Sequence, residues 1–264
     1  MTTSPLKLRE IYGQQGFLSA LPVLTDAELK EARDAFSELE ARFGKEYTQY
    51  SLHNVHLRYP WVMELTRHPQ ILRVVTAILG PDVILLDSRF ICKYPAISPD
   101  GTSGKDGLPY VAWHQDMRYW GIAGGPVLSV WLALDDSMKE NGTLQVIPMF
   151  SCHVGTQCAG MLPHRQAIRP GNMLTVNQEI PDELVQASEA VLCPLLAGQM
   201  SIHDGLLVHA SDANASTKRR CGFVIRYVPT CAYPVEDPDR PRKFLAATLA
   251  CGEDRFNHFS GKAA

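Results

Sequence analysis

The sequence predicts a mainly β domain with helices at its N-terminal end, and three observations support this fold class. Amphipathic helical patterns occupy the first 80 of the 264 residues. After residue 80, short apolar runs alternate with clusters of Gly, Pro, Asn and Asp, as in proteins built of short strands. These runs are not each followed by a helical pattern. A parallel α/β sheet is therefore disfavoured, and a sandwich, barrel or jelly roll is expected.

Two helices of the N-terminal part have recognisable ends. Thr25 and Glu28 form the S/T-x-x-E pattern of a capping box, and Gly44 is the expected end of that helix. The predicted apolar stripe of this helix consists of Leu29, Ala32, Phe36, Leu39 and Phe43. The second helix is expected to begin at Pro69 and to end at Gly80. Its predicted stripe consists of Leu72, Val75 and Ile78 or Leu79.

The strands of the core are expected between residues 81 and 230, within a single domain over 1–264. The nine predicted runs are DVILLDSRFICKYP, PYVAWHQD, VLSVWLALDD, GTLQVIP, GNMLTV, AVLCPLL, GQMSIHDG, LLVHAS and RCGFVIRYVP. Residues 1–80 form a mainly helical annex in this interpretation, and 231–264 form a C-terminal extension. Residues 157–171 and 229–264 are expected to be mostly loop, where binding sites are often built.

Composition disfavours several classes of partner. The net charge of −3 gives no basic surface for nucleic acid. The N-terminal residues lack the apolar segment of a signal peptide, and no apolar run is long enough to cross a bilayer. The seven cysteines are odd in number and irregularly spaced, which is typical of free thiols in a reducing compartment. We therefore expect a cytoplasmic protein that binds neither nucleic acid nor membranes.

The segment YVAWHQDMRYWGI, residues 110–122, contains a candidate metal-binding pair. In a strand, His114 and Asp116 point to the same side and Gln115 points to the other. One imidazole and one carboxylate make two thirds of a 2-His-1-carboxylate triad, which leaves positions open on the metal and suits Fe(II) with O₂. An isolated H-x-D is more often a structural hydrogen-bonded pair, so the interpretation depends on a second histidine elsewhere.

His209 is the favoured second histidine, with His203 as the alternative. Ser211 lies two residues after His209, on the same face of a continuing strand. Arg220 lies eleven residues after His209, beyond a turn-rich loop that is expected to return the chain as the paired strand of a hairpin. Such a hairpin would bring a guanidinium near the metal, where it could bind the carboxylate of a cosubstrate in bidentate fashion.

With these residues the chain resembles the phytanoyl-CoA dioxygenase superfamily of Fe(II)/2-oxoglutarate oxygenases. The resemblance covers about residues 50–230. Its metal motif is H-x-D, then H-x-S-x-x-N-x-S, then Arg eleven residues after the second His. The matching segments are HPQILRVVTAILGPDV, FICKYP, WHQDMRYWG, SVWLALDDSMKENGTLQVIP and HASDANASTKRRCGFVIRY. One departure is Met149–His153, where members usually have Pro-Gly-Ser-His, and it changes the expected shape of that loop.

The resemblance implies a double-stranded β-helix, the cupin-type jelly roll, with flanking helices. It also implies that His114, Asp116 and His209 hold Fe(II), to which 2-oxoglutarate and O₂ bind. The implied cosubstrate residues are Arg220, for the distal carboxylate, Ser211, Lys93 and Trp131. The alternatives are a core position for Trp131 and an ordinary strand-end position for Lys93.

The implied reaction is oxidation of an unactivated C–H bond of a small metabolite or biosynthetic intermediate, with release of succinate and CO₂. Hydroxylation, desaturation, ring closure and epimerisation all remain open, as do the substrate and the oligomeric state. A halogenase is disfavoured, because chlorinating relatives carry a small residue where Asp116 stands. A non-catalytic, cupin-like metal-binding or sensing protein is the alternative from another class. Residues considered for the substrate entrance, with ordinary packing as an equal alternative, are His56, Arg58, Arg118, Tyr119 and Trp120.

Arg226 is a second arginine expected to point into the interior. In RRCGFVIRYV the strand period places Arg226 on the same face as Arg220, about 20 Å further along at ~3.3 Å per residue. We expect it near the opposite end of the barrel, paired with an internal Asp or Glu. The second interpretation is a contact with an anionic group of the substrate, if a bulge brings Arg226 back toward the iron.

Overall fold

The computed structural model describes residues 3–95, 108–149, 160–166, 169–174, 178–235 and 243–259. The helices are α1 (Pro5–Gln15), α2 (Asp26–Phe43), α3 (Lys45–Tyr50), α4 (Pro60–Thr66), α5 (Pro69–Leu79) and α6 (Met117–Trp120). The strands are β1 (Phe17–Pro22), β2 (Val83–Lys93), β3 (Val111–His114), β4 (Ile122–Ala123), β5 (Leu128–Ala133), β6 (Leu144–Val146), β7 (Arg165–Gln166), β8 (Gln178–Glu179), β9 (Val191–Cys193), β10 (Gln199–Asp204), β11 (His209–Ser211), β12 (Arg220–Pro229), β13 (Tyr233–Pro234) and β14 (Thr248–Cys251).

Two antiparallel sheets carry the site. The major sheet has the strand order β1-β10-β5-β12-β2-β14, and the minor sheet has the order β3-β11-β6-β9. The chain passes repeatedly between them, since β2, β5, β10 and β12 belong to the major sheet whereas β3, β6, β9 and β11 belong to the minor one. This alternation is typical of a jelly roll. The predicted mainly β fold with flanking helices is therefore confirmed.

The helices cover one face of the major sheet, and a cavity lies on the other. Strand β2 shows this division through its alternating side chains. Phe90 packs against Phe36 of α2 and Phe223 of β12, with ring centroids 5.0 and 4.5 Å apart respectively. Its neighbours Arg89 and Ile91 line the cavity. The apolar layer under the helices thus supports the floor of the cavity.

The predicted helix ends are confirmed, and one predicted stripe is wrong in phase. Thr25 and Glu28 form both hydrogen bonds of the capping box, and Gly44 ends α2. The residues of α2 that are fully buried are Ala32, Phe36 and Leu39, while Phe43 is 37% exposed. In α5 the predicted Val75 is buried, together with Ile71 and Val74, whereas the other predicted residues, Leu72, Ile78 and Leu79, pack only partly buried against the core.

Both ends of the chain contribute strands where the sequence predicted helix or loop. Strand β1, in the expected helical annex, pairs with β10 at one edge of the major sheet. Strand β14, in the expected loop, pairs with β2 at the other edge. GNMLTV was predicted as a strand, but its Asn172 makes only an isolated bridge with Tyr110, and residues 175–177 lie outside the described part. Among the described helices, none combines the length and apolar character needed to cross a bilayer.

Candidate metal centre

Two neighbouring strands and a turn bring the three predicted metal ligands together. His114 ends β3 and is the register partner of His209, which begins β11. The Asp116 Oδ1 atom lies 3.6 Å from Nε2 of His114 and 3.9 Å from Nε2 of His209. All three side chains are buried, and one ligand atom from each lies within 4.8 Å of the others. The group could therefore hold one metal ion.

Asp116 reaches this group by a turn and not by strand alternation, so the predicted strand geometry is wrong. Strand β3 ends at His114, and Asp116 is the N-cap residue of α6. Gln115 holds the turn: its amide nitrogen donates to the carbonyl of Leu206 at 2.6 Å, and its amide oxygen accepts from Leu162 N at 2.8 Å. The aspartate therefore faces the histidines although the strand has stopped before it.

Backbone carbonyls fix the orientation of both histidines. Nδ1 of His114 lies 2.8 Å from the carbonyl oxygen of Ala112, and Nδ1 of His209 lies 2.8 Å from that of Leu207. A carbonyl only accepts, so each Nδ1 carries the hydrogen and each Nε2 presents its lone pair beside Asp116. Burial, together with the neighbouring His114 and His203, lowers the pKa of His209 well below its ordinary value. His209 is thus kept in the neutral form that binds metals.

Asp116 is held as a carboxylate. Its Oδ2 atom accepts a hydrogen bond from Ser129 Oγ at 2.6 Å and lies 3.7 Å from Nη2 of Arg226. Burial acts to raise the pKa of Asp116. The charge of Arg226 and the proximity of the His114 and His203 imidazoles outweigh it, so that the pKa lies well below its usual value. Two neutral imidazoles and one carboxylate are the ligand set of a non-haem Fe(II) centre.

His203 is a fourth ring beside the group. It lies on β10, with its ring centroid 4.4 Å from that of His209 and its Nε2 3.7 Å from Oδ2 of Asp116. In the described part of the chain neither of its ring nitrogens has a hydrogen-bond partner, whereas Nδ1 of His209 is fixed by a carbonyl. The preorganised orientation favours His209 as the ligand and His203 as its packing neighbour.

Arg220 reaches the cavity from the major sheet, so the predicted hairpin with His209 is wrong. Strand β12 pairs with β2 and β5, while β11 pairs with β3 and β6 in the other sheet. The guanidinium carbon of Arg220 lies 4.5 Å from the ring centroid of Trp131. Its Nε and Nη1 atoms are buried without a hydrogen-bond partner among the described residues. Burial lowers the pKa of Arg220 to about 10, which leaves it cationic at neutral pH.

Ser211 and Lys93 lie next to this arginine, at different depths. Ser211, Trp131 and Arg220 line the cavity. Lys93 lies behind Ser211: it is fully buried, and its Nζ donates to Oγ of Ser211 at 2.6 Å and to the carbonyl of Ser211 at 3.1 Å. Burial, and then the charge of Arg220, lower the pKa of Lys93 well below its usual value. Lys93 therefore holds Ser211 in place from behind the cavity wall. The family resemblance had implied that both residues line the cosubstrate pocket.

The sequence profile of the phytanoyl-CoA dioxygenase family, PhyH, matches residues 12–222. The chain belongs to this family. The L-proline trans-4-hydroxylase of Streptomyces griseoviridis is 24% identical over 256 residues, which cover 86% of this chain and 88% of the relative. A probable alpha-ketoglutarate-dependent hypophosphite dioxygenase of Stutzerimonas stutzeri is 24% identical over 182 residues, or 69% of this chain. The alignment spans only 58% of that dioxygenase.

Solved structures of the same fold agree with this membership. The non-heme monooxygenase ThoJ superposes with a TM-score of 0.71 and 27% identity, covering 94% of this chain and 84% of ThoJ. The alpha-ketoglutarate-dependent carbocyclase SnoK from nogalamycin biosynthesis has a TM-score of 0.67 at 18% identity, covering 94% of this chain and 96% of SnoK. At this identity the similarity concerns the fold alone. The predicted cupin-type jelly roll is confirmed.

In this family member the candidate centre opens into a cavity of about 350 Å³. Of the five residues considered for the substrate entrance, Tyr119 and Trp120 line the cavity. His56 does not, because it is buried elsewhere against Ser88 and the carbonyl of Ala246. Among the lining residues that sequence reasoning missed are Tyr50, Asp87 and Arg89, which carry polar or charged groups. The alternation of Asp87, Arg89 and Ile91 along β2 is a signal that could have found two of them.

Arg226 lies at the metal end of the cavity, not at a remote end of the barrel. Its Nη1 is 3.4 Å from Oδ2 of Asp87, and its Nη2 is 3.7 Å from Oδ2 of Asp116. The favoured internal acidic partner is thus confirmed, but the predicted distance from the metal site is wrong. The reason is that the cavity runs along β12, with Arg220 and Arg226 at its two ends. A register irregularity follows Arg226 directly.

Proposed function

We propose that this chain is an Fe(II)/2-oxoglutarate-dependent dioxygenase that oxidises an unactivated C–H bond of a small metabolite or biosynthetic intermediate. One observation carries the proposal. A group of two histidines and one aspartate shares a cavity with Arg220, whose buried Nε and Nη1 donors have no hydrogen-bond partner among the described residues. Family membership and the dioxygenase and hydroxylase relatives support the same conclusion.

The three ligands fit Fe(II). His114, Asp116 and His209 would hold the ion through two neutral Nε2 atoms and one carboxylate oxygen, a set that leaves coordination positions for other groups. Bound Fe(II) supplies, with 2-oxoglutarate and O₂, an oxidative decarboxylation to succinate and CO₂ that is coupled to oxidation of the substrate C–H bond. Ser129 and the two backbone carbonyls orient the ligands, as outer partners of metal ligands generally do.

Arg220 fits the distal carboxylate of 2-oxoglutarate. A buried guanidinium with unsatisfied donors is unfavourable, and a carboxylate supplies both the charge and the acceptors. Trp131 holds the guanidinium from one side, and Lys93 holds Ser211 so that its hydroxyl faces the same space. These residues position the cosubstrate and keep water from it.

The residues around the cavity decide which C–H bond is oxidised and with what outcome. The relatives and the solved structures include a proline hydroxylase, a hypophosphite dioxygenase and a carbocyclase, so the metal site does not select the substrate. We propose a cytoplasmic location as well. The five cysteines in the described part of the chain are free thiols, which fits a reducing compartment.

Succinate formation tests the proposal. The purified chain is incubated with Fe(II), 2-oxoglutarate, ascorbate and O₂, alone and with each member of a metabolite library, and succinate is measured. The expected result is succinate above the level of an Asp116→Ala control, with stimulation by the substrate. A chain that binds Fe(II) and 2-oxoglutarate but forms no more succinate than the control would be a binding or sensing protein, and the proposal would be wrong.

A further inference from the structure

We propose that Arg89 binds a carboxylate of the substrate at the β2 side of the cavity. This inference rests on the proposed function, because it names the class of substrate that the same site oxidises. It also gives a role to a charged residue that neither the metal centre nor the cosubstrate residues use.

The contacts of Arg89 hold its guanidinium at the cavity wall. The guanidinium carbon lies 3.9 Å from the ring centroid of Tyr50, which also lines the cavity. Nε and Nη2 lie 3.0 and 2.7 Å from Nδ1 of His53, which accepts these hydrogen bonds as a neutral imidazole. Arg89 is thus oriented by an aromatic ring and an uncharged acceptor, a preorganised arrangement that leaves its charge available.

No carboxylate of the described residues lies within ion-pair distance of Arg89. The nearest candidate along the strand is Asp87, whose Oδ2 already faces Nη1 of Arg226 at 3.4 Å. Asp116, the other aspartate of the cavity wall, faces the histidines and Arg226. Both acidic residues of the wall are therefore engaged by other groups.

The charged residues described in the cavity wall have a net charge of one positive unit. The described lining residues with a full charge at neutral pH are Arg89, Arg220 and Arg226 against Asp87 and Asp116. Fe(II) and 2-oxoglutarate carry equal and opposite charges, so binding both leaves this excess unchanged. A single excess positive charge in a partly desolvated cavity favours a singly charged anion, which is the charge of a carboxylate and not of a phosphate dianion.

Position separates Arg89 from the cosubstrate residue. In the register of the major sheet Arg89 pairs with Val224, while Arg220 pairs with Lys93. The two arginines are thus on adjacent strands and four residues apart along them, or about 13 Å at ~3.3 Å per residue. The Arg89 guanidinium is held at Tyr50 and His53, and that of Arg220 is held at Trp131. The two guanidinium groups therefore serve different carboxylates, and we assign the one at Arg89 to the substrate.

A matched panel of compounds tests this. Small carboxylic acids, amino acids included, are compared with their neutral primary carboxamides and with phosphate monoesters in the succinate assay. The expected result is that only carboxylic acids stimulate succinate release. Arg89→Gln should raise the KM for the stimulating acid roughly 10- to 100-fold, and Arg89→Lys, which keeps the charge, should raise it less. Neither variant should change the KM for 2-oxoglutarate.

Arg58→Gln is the matched control, because Arg58 is an exposed arginine outside the cavity wall, and it should leave all of these values unchanged. Thermal unfolding of each variant shows that the fold is retained. Stimulation by carboxamides or phosphate monoesters that equals that by acids would overturn the inference while leaving the dioxygenase proposal intact. An unchanged KM for the stimulating acid in Arg89→Gln, or a raised KM for 2-oxoglutarate in that variant, would also overturn the inference. Absence of iron-dependent succinate in the wild type would instead defeat the proposed function itself.

Discussion

Gly222 and Trp131 touch across neighbouring strands so closely that a Cβ atom on Gly222 would lie 2.1 Å from Cζ2 of the indole. The register pairs Trp131 with Val224, so the ring leans diagonally over Gly222 toward the first residue of β12. There it meets the guanidinium of Arg220. Because Gly222 has no side chain, β12 leaves room for the Trp131 ring, which in turn contacts Arg220, the proposed cosubstrate residue.

Substitution of Gly222 should impair cosubstrate binding through Trp131. Gly222→Ala forces the indole to move, so we expect a KM for 2-oxoglutarate raised roughly tenfold and a stability loss of about 1–3 kcal/mol from overpacking. Steady-state kinetics and denaturant unfolding measure the two effects. Gly13→Ala is the control, since a Cβ there meets no atom within 4 Å, and it should leave the KM unchanged. An unchanged KM in Gly222→Ala would show that the position of Trp131 does not matter for 2-oxoglutarate.

Arg220→Ala should act on the cosubstrate and spare the metal. Loss of a buried, charge-assisted pair costs on the order of 2–5 kcal/mol, so the KM for 2-oxoglutarate should rise by tens- to thousands-fold. Metal content, measured by elemental analysis, should stay near that of the wild type. Arg219→Ala is a neighbouring control: Arg219 donates to Asp135 at 2.7 Å and to Glu40 at 3.1 Å, outside the cavity. It should lower the melting temperature without changing the KM, and equal KM effects in both variants would contradict the assignment.

The sequence was informative where residue spacing alone decides a feature. The offsets among His114, Asp116, His209 and Arg220, through the family resemblance that they carry, predicted that these residues share one site. The route by which they meet was not predictable, because it depends on pairing between distant segments. Asp116 lies on a turn that Gln115 holds by contacts to residues 162 and 206, and Arg220 belongs to the sheet facing His209.

The edge strands of the major sheet were harder still to predict, and so were the residues of β2 that line the cavity. Strand β1 gains its partner from β10, about 180 residues further along, and a local pattern contains no information on such a pairing. In β2 most residues on both faces are buried, so the usual alternation of apolar and polar residues is weak. The alternation of Asp87 and Arg89 along β2 was therefore only a weak signal that these two residues line a cavity.

The two candidate histidines should differ in their effect on iron. His209→Ala removes a proposed metal ligand whose Nε2 is oriented toward Asp116, so Fe(II) binding or activity should be lost. His203→Ala should keep most of the iron affinity, because His203 packs beside the group and lacks the carbonyl contact that orients His209. Fe(II) titration by calorimetry under anaerobic conditions measures both. Iron loss in His203→Ala with retention in His209→Ala would reverse the assignment.

Ser129 should influence the metal through Asp116. Ser129→Ala removes the 2.6 Å hydrogen bond to Oδ2, and loss of such an outer partner typically lowers metal affinity about 10- to 100-fold. Ser201 is a matched control on the neighbouring strand β10, buried and without a hydrogen-bond partner for its hydroxyl among the described residues. Ser201→Ala should leave Fe(II) affinity unchanged. Equal Fe(II) affinities in the wild type, Ser129→Ala and Ser201→Ala would show that Ser129 does not affect metal binding through Asp116.

His56 should make the fold sensitive to mild acid. It is buried at 3% exposure, with Nδ1 2.6 Å from Oγ of Ser88 and Nε2 3.3 Å from the carbonyl of Ala246. Burial lowers its pKa below the ordinary value of 6.5, although the Ala246 contact acts in the opposite direction. The unfolded chain therefore takes up a proton at a higher pH than the folded one, and stability that is fully present above about pH 6.5 is lost as the pH falls toward the folded pKa.

Comparison with His56→Gln separates this residue from other histidines, since the pKa values of His53, His164 and His209 are lowered as well. One such group changes the free energy of unfolding by at most about 1.4 kcal/mol per pH unit. The variant is expected to be less stable than the wild type at pH 7.5, because glutamine does not reproduce both contacts. Its free energy of unfolding should then fall less steeply as the pH is lowered to 5.5, so that the gap narrows. Urea unfolding at four pH values measures the gap, and a gap that stays constant across the series would show that His56 does not titrate on unfolding.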